Sequence, residues 1–206
     1  MNNDSKTQIK IVVLGCLVVL LMYQLSKKPK PLIRKILFVG DSNTVANFSY
    51  ANKIKQSHPD LTVKIIAENG KNTSWMLSKL KSELSKEKYD VVSILGGSND
   101  IYGGLPFSVT KSNLLEMEKL IKSNHSIPIF VSPPSKSFYV NKTPAKELAL
   151  KNLIDWMNDH RFDNLIDFNS ITNFKNLFSP SDGYLHPQAK AHVELANNFT
   201  KKVDIS

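Results

Sequence analysis

The chain of 206 residues contains a single cysteine, Cys16, and this scarcity excludes several classes of protein. One cysteine cannot form an intrachain disulfide, a cysteine-based zinc site or a C-x-x-C redox motif. The sequence also shows no histidine and carboxylate cluster at metal-ligand spacing and no glycine-rich phosphate loop. We therefore expect neither a metal nor another cofactor. With 41% apolar and 22% charged residues, the composition is that of an ordinary globular protein.

The basic excess of the chain, a formal net charge of +9, is concentrated at the N-terminus. Residues 1–35 carry +6 of this charge, whereas residues 36–206 hold 20 basic and 17 acidic residues. A nucleic-acid-binding protein shows a clustered basic face on its folded domain, and here the lysines of the domain are scattered. We therefore expect no nucleic-acid partner and interpret the N-terminal charge as a feature that favours a membrane surface.

An apolar segment, residues 9–25, lies within this basic N-terminus and is interrupted only by Lys10 and Gln24. As a helix, the segment would span about 25 Å, slightly less than the roughly 30 Å hydrocarbon core of a bilayer. Flanking lysines can extend to the interfaces and make up the difference. The segment predicts a membrane anchor with a Lys/Pro linker, residues 1–30, ahead of a folded domain over residues 31–206.

Other interpretations of this segment remain open. A cleaved signal peptide, which would make the protein secreted, lacks a small-x-small cleavage site after the apolar run. In a lipoprotein signal that ends at Cys16, polar residues would follow the cysteine, but here the apolar residues continue. A buried core helix is disfavoured because the segment is apolar on every side. We expect the domain to lie outside the cytoplasm, although the slight lysine excess after the segment favours the opposite orientation.

Short apolar runs alternate with segments of helical period over the rest of the chain. The predicted strands are Lys35–Gly40, Thr62–Ala67, Tyr89–Leu95, Ile127–Ser132 and Leu165–Phe168. The predicted helices cover residues 75–84 and 110–122, a segment opened by Thr143 and Pro144, and a segment from Pro187 to about Lys201. This alternation predicts an α/β fold of three layers, α/β/α, with a flavodoxin-like parallel sheet of about five strands. Ligand sites in such sheets lie at the carboxyl ends of the strands.

Four polar motifs stand at three of these strand ends and before the last helix. They are Gly40-Asp41-Ser42-Asn43, Glu68-Asn69-Gly70, Gly96-Gly97-Ser98-Asn99-Asp100 and Ser181-Asp182-Gly183-Tyr184-Leu185-His186-Pro187. In this order they resemble the motif blocks of the SGNH/GDSL hydrolases, and the resemblance covers nearly all of residues 35–200. It implies the SGNH hydrolase fold and a serine ester hydrolase, such as an esterase, lipase, acylhydrolase or O-acetylesterase. The Gly-x-Ser-x-Gly motif of the α/β-hydrolases is absent.

The resemblance and the needs of acyl transfer assign a role to each motif. Ser42 is the expected nucleophile, His186 the base and Asp182 the residue that orients the imidazole. The expected oxyanion donors are the backbone N–H groups of Ser42 and Gly70 and the side-chain amide of Asn99. The substrate would be a small-molecule, lipid or glycan ester, and family members span all of these.

One departure from the family pattern concerns the last motif. The family places two residues between its aspartate and histidine, whereas three separate Asp182 from His186. Gly183 can absorb the extra residue as a bulge. Alternatively, a backbone carbonyl orients His186 in a Ser–His dyad, or the chain is a non-catalytic, membrane-anchored binding or structural module.

Several other residues have simpler interpretations. Asp41 is expected to cap the helix that follows it rather than to act in catalysis, and a phosphoacceptor role lacks the necessary acidic partner. The remaining histidines are interpreted as surface or loop residues, and they are His58, His125, His160 and His192. Trp75 and Trp156 are interpreted as core. Loops 102–108 and 133–141 are expected to shape the acyl pocket.

Overall fold

The computed structural model describes residues 32–135, 143–160, 162, 164–170 and 186–205. Within these residues, five parallel strands form one sheet in the order β2-β1-β3-β4-β5. The strands are β1 (Lys35–Gly40), β2 (Thr62–Ala67), β3 (Val91–Leu95), β4 (Ile127–Val131) and β5 (Leu165–Ile166). The predicted five-stranded parallel sheet is therefore confirmed, with its strands in the flavodoxin-like order.

Helices connect these strands and follow the last one. They are α1 (Ser42–Val45), α2 (Tyr50–Ser57), α3 (Thr73–Leu84), α4 (Ser98–Tyr102), α5 (Phe107–Ser123), α6 (Pro144–His160) and α7 (Ala189–Val203), with a 3-10 turn at Phe168–Ser170. The helices predicted from periodicity correspond to α3, α5, α6 and α7. Helix α1 was anticipated only through the expected capping role of Asp41. The short helix α4 and the polar helix α2 were not predicted, because neither has enough apolar turns to show a period.

Several predicted boundaries require correction, and three of them involve a local cause or a shorter strand. The last helix begins at Ala189 rather than Pro187, because Gln188 keeps an extended backbone and takes the N-cap position. Strand β3 begins at Val91 rather than Tyr89. The carboxylate of the preceding residue, Asp90, accepts hydrogen bonds of 2.8 Å from the backbone N–H groups of Arg34 and Lys35. Strand β5 is two residues long, shorter than predicted.

The core lies on both faces of the sheet because successive side chains of β1 point to opposite sides. Ile36 and Phe38 pack on one face against side chains of α2 and α7, which include Tyr50, Ile54, Leu195 and Phe199. Leu37 and Val39 pack on the other face against α3, α5 and α6, with side chains that include Met76, Leu80, Leu114, Met117 and Leu153. This arrangement confirms the three-layer α/β/α fold. Trp75 and Trp156 pack at the edge of the second cluster and are partly buried.

The register of the sheet brings three of the polar motifs to one edge. Gly40, at the end of β1, pairs with Ala67 of β2 and Leu95 of β3, so the chain leaves all three strands at the same level. A side chain at Gly40 would contact Thr44 and come within 2.9 Å of the carbonyl oxygen of Leu95. The glycine thus permits the tight turn that presents Ser42 at this edge.

The predicted anchor, residues 9–25, and the predicted boundary after residue 30 lie outside the described residues. In the part of the chain that the structure describes, no helix combines the length and hydropathy needed to cross a membrane.

Candidate active site

The structure brings Ser42 and His186 into direct contact. Ser42 opens α1, and the preceding Asp41 caps this helix by accepting a hydrogen bond of 2.9 Å from the backbone N–H of Asn43. His186 precedes α7, which packs on the neighbouring α2. Its Nε2 lies 2.9 Å from the Oγ of Ser42, although the two residues are 144 positions apart in sequence. At this distance an imidazole can take the proton of a hydroxyl, which is the geometry required of a nucleophile and its base.

The third residue of the expected triad, Asp182, lies outside the described residues, as does Gly183. The two alternatives for the group that orients His186, a carboxylate or a backbone carbonyl, therefore both stand. Asp182 remains a predicted catalytic residue.

The expected oxyanion donors come from three strand ends. Gly70 follows β2 and has a φ of +72°, in the left-handed region that favours glycine. Asn99 lies in α4, after β3, and its Nδ2 donates to the carbonyl oxygen of Lys71 at 3.0 Å and to Asp41 Oδ2 at 3.3 Å. The second bond is at the long end of the usual range, so a developing oxyanion can replace it.

A buried aspartate holds the segment that carries Asn99. Asp100 accepts hydrogen bonds from the backbone N–H of Thr73, at 2.9 Å, from the Thr73 hydroxyl, and from Thr110 Oγ1 at 3.3 Å. These bonds tie α4 to the first turn of α3 and to α5. Burial raises the pKa of Asp100, and the Thr73 and Thr110 bonds oppose that shift.

Asp41 proves to do more than cap α1. Its side chain is fully buried, with Oδ1 bound to the backbone and side-chain amides of Asn43 and Oδ2 facing Asn99. Burial raises the pKa of Asp41 to about 6, against the opposing hydrogen bonds from Asn43, and the nearby Asp100 adds to the rise. The capping interpretation is confirmed, and the link to Asn99 is a feature that sequence reasoning missed.

The interpretation of His192 as a surface or loop residue is wrong. His192 lies on α7 with only 1% of its surface exposed, between the rings of Phe48 and Phe168, whose centroids are each 5.6 Å away. Its Nδ1 accepts a hydrogen bond of 3.3 Å from the backbone N–H of Tyr50. Burial, together with the neighbouring His186, lowers the pKa of His192 to about 4, so the ring is neutral. The sequence does contain a pattern that indicates this burial, because His192 shares one helical face with the apolar residues Leu195, Ala196 and Phe199.

A pocket of about 460 Å³ adjoins the Ser42–His186 pair. Its described lining residues come from the start of α1, the α1–α2 loop, the loop after β2 and the start of α7, and they are Ser42, Asn43, Val45, Ala46, Asn47, Phe48, Asn69, His186 and His192. Loop 102–108, expected to shape the acyl pocket, does not contribute to this lining. Within the described ranges, no three histidine, cysteine or acidic side chains gather as metal ligands would.

Comparison with solved structures identifies proteins of the same fold. A scan against models of protein families finds no match, and neither does a comparison with curated protein sequences. A protein from Desulfitobacterium hafniense, described as lipolytic and of the G-D-S-L family, is 18% identical with a TM-score of 0.68, over 82% of this chain and 98% of that one. Esterase EstA from a Pseudoalteromonas species is 17% identical with a TM-score of 0.65, over 83% and 97%.

The acetylxylan esterase Axe2 from Geobacillus stearothermophilus, solved as a catalytic mutant, is 16% identical. Its TM-score is 0.66, and the match covers 86% of this chain and 98% of that one. At these identities the likeness concerns the fold. The SGNH hydrolase fold implied by the sequence motifs is therefore confirmed, and the proteins that share it here carry the names of esterases and lipolytic proteins.

The raised pKa of Asp41 predicts a pH-dependent stability. Between the ordinary value of 3.8 and about 6, the folded chain holds the Asp41 proton while the unfolded chain releases it. The folded state then binds more protons, so the contribution of Asp41 to the free energy of unfolding falls as the pH rises through this window. The variant Asp41→Asn lacks this contribution. We expect its free energy of unfolding, relative to the native chain, to rise by about 2 kcal/mol from pH 4 to pH 7.

Urea denaturation of both chains at pH 4, 5, 6 and 7 measures this difference directly. A difference that stays constant over the series would contradict the raised pKa.

Proposed function

We propose that this protein is a serine ester hydrolase of the SGNH/GDSL family, which acts through an acyl-enzyme on Ser42 with His186 as the base. The observation that carries the proposal is the 2.9 Å contact between Ser42 Oγ and His186 Nε2. The order of the four motifs and the likeness of the fold to that of esterases support it further.

In the first half of the reaction, His186 takes the proton of the Ser42 hydroxyl as Oγ attacks the carbonyl carbon of the ester. The tetrahedral intermediate collapses when the bond to the alcohol oxygen breaks, and His186 gives its proton to that oxygen. An acyl group then remains on Ser42. In the second half, His186 takes a proton from water, the hydroxide attacks the acyl carbon, and His186 returns the proton to Oγ as the free acid leaves.

Removal of the nucleophile tests the proposal. Ser42→Ala should lower turnover of p-nitrophenyl acetate to background, because it removes the hydroxyl that lies 2.9 Å from His186 Nε2. Ser78→Ala, a change at an exposed position of α3, is the matched control and should retain activity. Equal turnover by Ser42→Ala and the native chain would contradict the nucleophile, and a native chain without turnover would favour the non-catalytic alternative.

We propose that the oxyanion is bound by the backbone N–H groups of Ser42 and Gly70 and by the amide of Asn99. The position of Asn99 between Lys71 and Asp41 supports its role, because these contacts fix the amide before substrate arrives. Asn99→Ala should lower kcat by roughly a hundredfold and leave KM nearly unchanged, as expected of a donor that acts in the transition state. A change in KM alone, in a variant whose thermal unfolding matches the native chain, would make Asn99 a substrate-binding residue instead.

We propose that Asp182 orients the imidazole of His186. Asp182→Asn would then favour the wrong tautomer and lower kcat by several orders of magnitude, approaching the ~10⁴-fold loss of a Ser-His-Asp triad. Asp159→Asn, at an exposed position of α6, is the control and should have no effect. A loss of tenfold or less for Asp182→Asn, with His186→Ala still inactive, would replace the triad by a dyad.

We also propose that residues 9–25 anchor the protein in a membrane, on the basis of their apolar composition and the flanking lysines. The full chain should remain in the membrane fraction after an alkaline carbonate wash, whereas a chain that begins at residue 31 should be soluble and active. Recovery of the full-length chain in the soluble fraction would contradict the anchor. A shortened product in the medium would indicate a cleaved signal peptide.

A further inference from the structure

We propose that the pocket beside Ser42 binds the alcohol part of the ester, and that this alcohol is a neutral, polyhydroxylated group such as a sugar unit. The inference rests on the proposed function and specifies its substrate class. The pocket is defined by the lining residues given above.

The position of the pocket assigns it to the alcohol rather than to the acyl group. In the proposed reaction, the ester oxygen that leaves must receive a proton from His186 Nε2, so the alcohol lies on the His186 side of Ser42. The pocket has both Ser42 and His186 in its wall and continues from them toward the α1–α2 loop. Asn99, the proposed oxyanion donor, is not among its described lining residues.

The polar groups of the wall suit hydroxyl groups. Asn47 and Asn69 are exposed lining residues of the pocket, and each carboxamide both donates and accepts hydrogen bonds. A hydroxyl also does both, so a ligand with several hydroxyl groups can pair with each amide. An alkyl chain would instead cover the amides without pairing them, which is unfavourable.

The described part of the wall carries no charged side chain, since its residues include no lysine, arginine, aspartate or glutamate. The burial that lowers the pKa of His192 keeps that ring uncharged as well. Against these described residues, a phosphate, carboxylate or quaternary ammonium group would find no opposite charge to replace its hydration, and this is costly. The described wall therefore favours a neutral alcohol.

The apolar part of the wall includes Val45, Ala46 and the aromatic ring of Phe48. Phe48 keeps 39% of its surface exposed, and its ring can cover the C–H face of a sugar while the hydroxyl groups of that sugar contact the asparagines. The volume of about 460 Å³ is in the range of pockets that enclose small ligands.

Acetate esters of different alcohols test the proposal with the acyl group held constant. The series is p-nitrophenyl acetate as the reference for the chemical step, mono-O-acetyl methyl xyloside as the sugar ester, octyl acetate and acetylcholine. Each kcat/KM is divided by the rate constant of spontaneous hydroxide-catalysed hydrolysis, which removes differences in leaving-group reactivity. We expect the sugar ester to exceed octyl acetate and acetylcholine by tenfold or more.

Variants in the pocket wall provide the second arm. The ratio of kcat/KM for the sugar ester to that for p-nitrophenyl acetate should fall about tenfold in Asn47→Ala and in Phe48→Ala, because each loses a contact to the sugar. Asn152→Ala, an exposed asparagine of α6, is the matched control and should leave this ratio unchanged.

The outcomes separate this inference from the proposed function. If p-nitrophenyl acetate is hydrolysed but the sugar ester shows no preference, or the ratio is unaffected in both pocket variants, the inference is wrong and the ester hydrolase stands. A preference for octyl acetate or acetylcholine also overturns it. If a folded chain hydrolyses none of the four esters, the proposed function fails and the inference fails with it.

Discussion

Parallel pairing of β1 with β2 on one side and β3 on the other is the constraint on which the site depends. It aligns Gly40, Ala67 and Leu95 at one edge of the sheet, and the three polar motifs that follow these strands meet there. Packing of α7 against the same face as α2 then places His186 beside Ser42. A shift in the register of either strand pair would separate the proposed oxyanion donors from the proposed nucleophile while leaving the local sequence unchanged.

Below this edge, buried polar groups fix the positions of the functional side chains. Asp100 ties the segment that carries Asn99 to α3 and α5, and Asp41 connects Asn43 of the nucleophile turn with the amide of Asn99. Both carboxyl groups are buried, and burial raises the pKa of each. Burial of these two carboxyl groups is unfavourable, and the hydrogen bonds that they accept offset part of this cost. The resulting network orients the amide of Asn99 before substrate binds.

Sequence reasoning predicted the features that depend on strong local patterns. The apolar runs of β1 and β2 were predicted with their observed bounds, and the motif order anticipated the meeting of Ser42 and His186. The features it missed depend on tertiary packing. His192 is a polar residue on an otherwise apolar face of its helix. Its burial next to the rings of Phe48 and Phe168 determines the protonation state of its own ring. The pocket was not predicted because Phe48 and Asn69 belong to different loops that only the folded sheet brings together.

Labelling with a fluorophosphonate tests whether His186 activates Ser42. This reagent reacts with serine hydroxyl groups activated by a neighbouring base. Intact-mass and peptide analysis should find one adduct per chain, on the peptide that contains Ser42, and His186→Ala should abolish the label. A folded native chain that remains unlabelled, or an adduct on another serine with Ser42 unmodified, would contradict the account.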